Sequence, residues 1–403
     1  MTSSTHRLGV LLLVYAAFVS LGLPDGILGA AWPSLRATFG VELNDNWRLL
    51  ALGTCGSALS NFASGVALRR LGVGRVLVVT TLMTSVVILG YSLGPTFAII
   101  TALAFFLGLG NGAVDAGLNH FAASHLSSRH MSWLHAFWGV GVSLGTLTVS
   151  AVMASGGSWR RAYLVVGLVQ LALALAFISQ LRLLPGAPAA PAGLHHAAGG
   201  VELRSTLKQP AAWTNMATFF VYCGLECGAG LWIPSVLHDG RGWSTEAAGL
   251  MATVYWGSLT VGRFLIGAVA HRFRPARIAR AAALGALVGA LLLAASSAVV
   301  EQAAAASVLT ALGLLVTGLS VSPIYPMLMH DTARAAGAGH AVNLIGMQGG
   351  SGQLGFTLLP IAIGALLQAY STEWLGASLS ALALLLLALL ALRERFAQAR
   401  VSP

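Results

Sequence analysis

Apolar residues fill most of the chain in long stretches that are separated by short polar segments. A helix that spans a membrane needs about 20 predominantly apolar residues. The pattern predicts twelve such helices, with ends placed to within ~4 residues. The predicted spans are residues 8–32, 48–70, 75–94, 97–122, 131–154 and 160–181, then 211–236, 247–270, 277–297, 303–329, 341–368 and 374–393. The predicted fold class is therefore an all-α membrane protein with twelve transmembrane helices.

A segment rich in Pro, Gly and Ala, Leu184–Gly200, separates the sixth predicted span from the seventh and is typical of a linker. The residues that follow it, Val201–Gln209, can form a short surface helix that leads into the seventh span. The sequence therefore predicts an N-terminal six-helix half over 1–182, a cytoplasmic linker over 183–210 and a C-terminal six-helix half over 211–403.

The two predicted halves share sequence features in the same order. One set recurs 202 positions later: Gly22-Leu23, Gly65, Arg70 and Arg75 correspond to Gly224-Leu225, Gly267, Arg272 and Arg277. Residues 130–145 also align without gaps to residues 340–355, and five of the sixteen positions are identical. Together these matches predict a duplicated unit and hence two pseudo-symmetric halves.

Composition and charge agree with a membrane protein. The chain of 403 residues is 57% hydrophobic and 8% charged, whereas soluble domains carry about 25% charged residues. The net charge of +10 does not indicate nucleic-acid binding, because the basic residues lie singly or in small groups between the spans. Sixteen of them fall on the side of the two termini and five on the other side. This bias predicts a multi-pass protein of the cell (inner) membrane with both termini in the cytoplasm, and we expect a monomer.

Three acidic residues lie inside predicted spans: Asp25 in the first, Asp115 in the fourth and Glu226 in the seventh. A charged side chain at the centre of a membrane helix costs about 2.5–3.5 kcal/mol on insertion scales. These acids are candidates for proton coupling, because a carboxyl group can gain and lose a proton as water reaches it from alternate sides. The alternative is a structural pairing with an arginine or with a backbone donor, and Arg263 in the eighth span is the one embedded cation.

Other polar and aromatic residues are candidates for binding a solute. Asn119 lies four residues after Asp115 and so on the same helix face. Tyr325 lies between two prolines that would break the tenth span, and Gln348 aligns with Trp138 in the repeat. The candidate substrate-binding residues are Asn119, His135, Trp138, Tyr222, Trp256, Tyr325 and Gln348. Such side chains can also bond a neighbouring helix or form an aromatic belt at the membrane surface.

Basic residues follow the second and eighth spans in corresponding turns. Positive-inside topology alone explains such residues, while their matching places in the two halves favour a role in conformational gating. The gating candidates are Arg70, Arg75, Arg272 and Arg277. The sequence shows no spacing of His, Cys and carboxylates typical of a metal site, and we expect no cofactor.

Twelve spans in two halves, with glycine–arginine turns after spans two and eight, resemble the major facilitator superfamily. Within it, the segments GLGNGAVDAGLNHF and WLHAFWGVG resemble the fucose permease family of sugar–proton symporters. The resemblance implies that Asp25 and Asp115 serve proton coupling or substrate binding, with Asn119 and His135 in the sugar path. The chain departs from the pattern in having Asp115 in place of the expected Glu, Trp138 in place of a smaller polar residue, and the additional acid Glu226.

The sequence thus predicts a secondary active transporter, not an enzyme, with alternating access to a site between the halves. Its expected partners are a small-molecule solute, protons and the lipid bilayer. The leading hypothesis is inward symport of a neutral sugar or similar polar solute with protons. The alternatives are a proton-driven exporter of amphipathic or drug-like compounds and a transporter-like receptor that binds without transport.

Overall fold

The structure, a computed structural model, describes residues 4–125, 128–181, 203–269, 272–332 and 338–399. Side chains are described in these ranges except at positions 4–8, 10, 61–70, 73, 116–117, 119–125, 128–132, 203, 269, 330, 338–339, 341–343, 345–346 and 399. The predicted gating residue Arg70 and the predicted binding residue Asn119 therefore have side chains outside the described residues.

The described chain is helical almost throughout. Its first part contains α1 (Ser4–Phe39), α2 (Trp47–Leu93), α3 (Phe97–His125), α4 (Ser128–Ala154) and α5 (Trp159–Ser179). The short helix α6 (Leu203–Leu207) follows. The remaining helices are α7 (Pro210–Ser235), α8 (Thr245–Val269), α9 (Pro275–Ala298), α10 (Ala303–Val321), α11 (Ile324–His330), α12 (Ala338–Ala369) and α13 (Leu375–Ala399).

Two features of this helix order follow from glycine and proline. The second and third predicted spans are the two helical segments of α2, which are separated by a break at Gly72, whose φ of 78° and ψ of 160° are not helical. Glycine adopts this positive φ without the steric cost that a side chain would bring. Similarly, the predicted tenth span is divided between α10 and α11 at Ser322-Pro323, because proline lacks the N–H that would continue the helix.

Ten segments of the described residues are long and apolar enough to cross a membrane. They include ten of the twelve predicted spans. The other two, 48–70 and 247–270, are largely helical in α2 and α8 but are not among these ten, and side chains 61–70 of the former lie outside the described residues. The all-helical, multi-pass architecture is thus confirmed, and the number of twelve spans stays a prediction.

The helices form two compact units. The first contains α1 to α5 together with Gly242–Thr253, and the second contains α6, α7 and the helices from Val254 onward. Within the first unit, α1 lies against α4 and α2 against α5; within the second, α7 lies against α12 and α9 against α13. In terms of the predicted spans these are pairs 1–5 and 3–6, then 7–11 and 9–12, so the internal contacts follow the same order in both units.

The predicted linker lies mostly outside the described residues, which leave out 183–202. Its last part forms α6, as the polar pattern of Val201–Gln209 suggested. In α6, Thr206 Oγ1 lies 2.9 Å from His340 Nδ1 at the start of α12. The short helix is therefore held against the second unit.

Glycines bring the paired helices into close contact. A Cβ atom on Gly26 of α1 would lie 2.0 Å from the carbonyl oxygen of Val142 in α4, and one on Gly145 would lie 2.3 Å from that of Leu23. In the second unit, a Cβ on Gly355 would lie 1.9 Å from the carbonyl oxygen of Phe220. Small residues at such contacts allow helix backbones to approach closely in lipid. This contact explains the recurrence of Gly145 as Gly355.

We expect Gly26→Ala to destabilise the protein, because the added methyl group would push α1 away from α4. Overpacking of a tight interface costs about 1–3 kcal/mol. The measurement is the midpoint of thermal unfolding in detergent. Gly349→Ala is the control, because nothing described lies within 4 Å of a Cβ at that position. Equal midpoints for the two variants would contradict the role given to Gly26.

Candidate functional site

The first unit places an acidic side chain at an exposed position inside an apolar helix. Asp25 is exposed in the middle of α1, while its neighbours Pro24 and Gly26 are buried. The indole Nε1 of Trp138, in α4, donates a hydrogen bond to Asp25 Oδ2 at 3.0 Å. Gly22 makes this contact possible, since a Cβ there would lie 2.1 Å from the carbonyl oxygen of Trp138. The close contact between α1 and α4 thus places the uncharged N–H of Trp138 in a hydrogen bond with the exposed carboxylate of Asp25.

Asp115 contributes a second acid to the same unit. It lies in α3, is half-buried, and is within electrostatic range of Asp25. Two nearby carboxylates disfavour simultaneous ionisation. Both acids therefore lie in the first unit.

His135 lies near this pair along α4 and is half-buried. Its ring meets the ring of Phe18 edge to face, with centroids 5.7 Å apart. One turn away, Tyr15 stacks on Phe137 at 4.4 Å. This part of the α1–α4 contact is therefore aromatic, with His135 as its polar member.

A buried amide in α5 was missed by the sequence prediction. Gln170 accepts a hydrogen bond from the Ser20 hydroxyl of α1 and donates one to the Ser20 carbonyl oxygen at 2.5 Å. The signal for it was present, because Gln170 is the one amide in the apolar run from Val165 to Ile178. Its two bonds fix α1, which carries Asp25, against α5.

The acid in the second unit has a different environment. Glu226 of α7 forms a salt bridge with Arg263 of α8, with Oε2 and Nη2 3.1 Å apart. The Tyr222 hydroxyl donates to the Glu226 carboxylate, and the Tyr255 hydroxyl donates to the Glu226 carbonyl oxygen at 2.7 Å. Glu226 is 5% exposed and Arg263 is 8% exposed. Glu226 therefore forms the structural ion pair with Arg263 that the sequence offered as the alternative to proton coupling.

The predicted aromatic residues of the second unit lie around this ion pair. Tyr222 is completely buried, and Trp256 is buried against Gly230, where a Cβ would lie 2.2 Å from its ring. Tyr325 is half-buried, with ring centroids 5.2 Å from Phe219 and 6.2 Å from Tyr222. Of these three predicted binding residues, Tyr325 is therefore the one with substantial exposure.

Gln348 lies in a setting that the repeat alignment did not predict. It is 0% exposed, and both ends of its amide are bonded: Nε2 donates to Asn215 Oδ1 at 3.1 Å, and Oε1 accepts from the Thr332 hydroxyl at 3.0 Å. Arg393 joins the cluster by donating to Asn215 Oδ1 at 2.8 Å and to Asp331 Oδ2 at 2.7 Å. The amide therefore joins α12 to α7 and to the segment after α11, and Arg393 extends the cluster to α13. We do not retain Gln348 as a solute-binding residue.

A second polar cluster in this unit was also missed. Arg241, just after α7, pairs with Glu373 before α13 at 2.6 Å and donates to the hydroxyls of Thr310 and Ser296 at 2.7 and 2.9 Å. By sequence, Arg241 is one of the five basic residues on the side opposite the termini, and its spacing does not indicate these partners. The cluster ties together the segments around α7, α9, α10 and α13.

The predicted gating residues that have described side chains, Arg75, Arg272 and Arg277, are exposed. A gating role for them stays a prediction. No three of the His, Cys, Asp and Glu side chains in the described ranges come together as a metal-binding group.

Several apolar helices of membrane-spanning length are typical of a multi-pass membrane protein. The sequence model of the Major Facilitator Superfamily matches residues 14–352. The chain belongs to this family.

Three known proteins illustrate the similarity. The hexuronate transporter of Bacillus subtilis is 23% identical over 260 residues, which cover 63% of this chain and 62% of the relative. Bypass of stop codon protein 6 of Saccharomyces cerevisiae is 23% identical, over 64% of this chain and 56% of the relative. The crystal structure of the nucleoside transporter NupG is 12% identical, with a TM-score of 0.72 over 94% of this chain and 98% of that one.

These matches define the protein at the level of its family. The chain spans about three fifths of the length of the curated relatives that it matches, and the structural similarity shows the fold. The chain is thus a member of the superfamily with several helices that are long and apolar enough to cross a membrane. The finer resemblance to the fucose permease family stays a prediction, because the family match does not distinguish subfamilies.

Proposed function

We propose that this protein carries a neutral, small polar solute into the cell together with protons, and that Asp25 is the proton carrier. The observation that carries the proposal is the exposed carboxylate of Asp25 within an apolar helix, held by the Trp138 N–H. A coupling group must meet water and solute, and must be able to exist with and without its proton. Asp25 is exposed and so can meet water and solute. Its partner, the Trp138 N–H, carries no charge and so does not hold the carboxylate in its ionised form.

Glu226 is a weaker candidate for the same role. Its carboxylate is buried and paired with Arg263 at 3.1 Å. Protonation of Glu226 would leave a buried guanidinium without its counter-charge, which is strongly unfavourable. We therefore assign Glu226 to the framework of the second unit and proton coupling to Asp25 and Asp115.

The charges of the described residues favour a neutral solute over an acidic one. Arg263 is the described basic side chain that lies well inside a predicted span, and Glu226 already neutralises it. An anionic solute would need a cation to replace its hydration. The name of one relative, the hexuronate transporter, implies an acidic sugar. The accessible acids of this chain, in contrast, suit a neutral sugar or polyol. The resemblance to the fucose permease family implies the same class of solute.

The membrane potential is sufficient to drive such transport. One charge that crosses 100 mV yields about 2.3 kcal/mol, and each tenfold change in concentration requires about 1.4 kcal/mol. One proton per neutral solute therefore supports roughly fiftyfold accumulation. Proton symport is thus an adequate energy source for uptake of a scarce neutral nutrient.

The second candidate is a proton-driven exporter of cationic, amphipathic compounds. The Asp25 carboxylate on the indole of Trp138, with Asp115 in the same unit, favours it, since acids and an aromatic face attract an apolar cation. Proteoliposomes with an internal pH dye distinguish the hypotheses. Solute added outside acidifies the lumen by symport and makes it more alkaline by antiport. Solute binding with no proton movement would overturn both and favour a receptor.

Trp138→Phe tests the link between Trp138 and the coupling proton. Phenylalanine keeps the aromatic ring but removes the N–H donor, so the charged form of Asp25 loses its hydrogen bond. A hydrogen bond to a charged group is worth about 1.5–3 kcal/mol, and each pH unit corresponds to about 1.4 kcal/mol. We expect the pH profile of uptake to move upward by about one to two units, as measured in proteoliposomes across a pH series. Trp133→Phe on the same helix is the control, and a profile identical to the wild type in Trp138→Phe would contradict this role.

A further inference from the structure

The second unit contains an apolar cavity between α9 and α10. Its volume is about 390 Å³, within the range of ligand pockets. Ala281 and Ala282 of α9 line one wall, Ser320 of α10 and Pro323 line the other, and Arg277 lies at one end. The lining is therefore mostly apolar, and Arg277 is its one basic residue among those described.

The cavity exists because α9 and α10 touch along only part of their length. A Cβ on Gly285 would lie 2.3 Å from Ser320 Oγ, and one on Gly289 would lie 2.3 Å from Thr317 Oγ1, so the helices are in close contact there. Toward the start of α9 the contact is lost. There α10 ends at Val321, and Pro323 directs the chain into α11. The small side chains of Ala281 and Ala282 leave the resulting space open.

Positive charge surrounds the open end of the cavity. Arg274 and Arg280 are exposed, and they lie three residues before and after Arg277. Phe273, which also lines the cavity, is 60% exposed. No acidic side chain lines the cavity among the described residues, and this end of α9 is the one predicted to face the cytoplasm.

We propose that this cavity binds an anionic phospholipid of the cytoplasmic leaflet, with an acyl chain between α9 and α10 and the phosphate on Arg277. The apolar lining excludes a polar solute, whose hydroxyl groups would lose their hydrogen bonds to water. The arginines favour an anionic headgroup over a neutral one. Basic pockets between membrane helices on the cytoplasmic side bind such headgroups. The proposal does not depend on which solute the protein carries.

Native mass spectrometry of the purified protein tests the proposal. The protein is incubated with equal amounts of phosphatidylglycerol and phosphatidylcholine that carry the same acyl chains. We expect the wild type to retain phosphatidylglycerol preferentially. Arg277→Gln should weaken that binding roughly fivefold, the ratio that corresponds to loss of one basic residue near a membrane surface. Ala281→Phe should weaken binding of both lipids, because the ring fills the cavity without any change of charge.

Arg75→Gln is the matched control, since Arg75 is the sequence equivalent of Arg277 in the first unit and does not line the cavity. Its lipid binding should equal that of the wild type. Equal retention of the two lipids by the wild type would overturn the proposal, as would an equal loss in Arg75→Gln, which would indicate general attraction to basic surface. Displacement of the lipid by soluble glycerol 3-phosphate would also overturn it, because the site would then bind phosphate alone. Since Ala281 is exposed, Ala281→Phe provides a test that does not depend on the folding of Arg277→Gln.

Discussion

Asp25→Asn is expected to abolish solute accumulation driven by a pH gradient and to leave exchange of solute down its own gradient partly intact. Asparagine keeps the shape of the side chain and can still accept a hydrogen bond from the Trp138 N–H, but it cannot titrate. Exchange requires no net proton movement, so it should survive when accumulation does not. Asp115→Asn should give the same pattern, because Asp115 lies within electrostatic range of Asp25.

The measurement is uptake into proteoliposomes with and without an imposed pH gradient, normalised to folded protein. Asp45→Asn is a suitable control, because Asp45 lies between α1 and α2 and pairs with Arg48 at 2.9 Å. It should accumulate solute as the wild type does. A purely structural acid would give another pattern, in which folded yield falls while the remaining transport stays coupled. Full accumulation in both Asp25→Asn and Asp115→Asn would end their assignment as proton carriers and make Glu226 the leading candidate.

Much of the fold could be predicted from the sequence, because the lipid environment imposes simple rules. Helix lengths follow from the thickness of the bilayer, so most spans could be placed to within a few residues. The breaks at Gly72 and Pro323 follow from the backbone properties of glycine and proline. Gly145 and Gly355 each lie too close to a neighbouring helix for a larger residue. This explains why glycines recur at equivalent positions of the two halves.

The partners of polar side chains could be predicted much less well. Residues as far apart as Asn215 and Arg393 meet in the second unit, and hydropathy gives the depth of a residue but not the direction of its side chain. Gln348 illustrates the limit, because its alignment with Trp138 predicted an equivalent position and a similar role. Trp138 bonds the exposed Asp25, whereas Gln348 bonds buried groups of its own unit. The repeat therefore preserves the backbone arrangement while the side chains at equivalent positions serve different purposes.

Glu226 shows that an embedded acid has two possible explanations that sequence alone could not separate. The sequence supplied both the acid and the single embedded cation that could neutralise it. Their distance of 3.1 Å could come only from the structure, because α7 and α8 are joined by a loop whose geometry the sequence does not specify. The accessible acid lies in the first unit and a neutralised acid in the second, so we expect proton coupling to depend mainly on the first unit.

The stability of the second unit should depend strongly on the Glu226–Arg263 pair. Glu226→Gln would leave the buried guanidinium of Arg263 without its counter-charge, and loss of one partner of a buried ion pair costs about 3–5 kcal/mol. We expect a large fall in folded yield and in the thermal midpoint in detergent. The transport that remains should still be driven by a pH gradient.

Replacement of the whole cluster should restore most of that stability. A variant with Glu226→Leu, Arg263→Met and Tyr222→Phe removes the ion pair together with the tyrosine hydroxyl that donates to it. Apolar replacement of a buried pair is often neutral or stabilising, and here it removes every charge that burial would penalise. The triple variant should therefore be more stable than Glu226→Gln alone, although it differs more from the wild type. If Glu226→Gln instead has the wild-type thermal midpoint but no longer responds to a pH gradient, Glu226 carries the coupling proton and the ion pair is a step in transport.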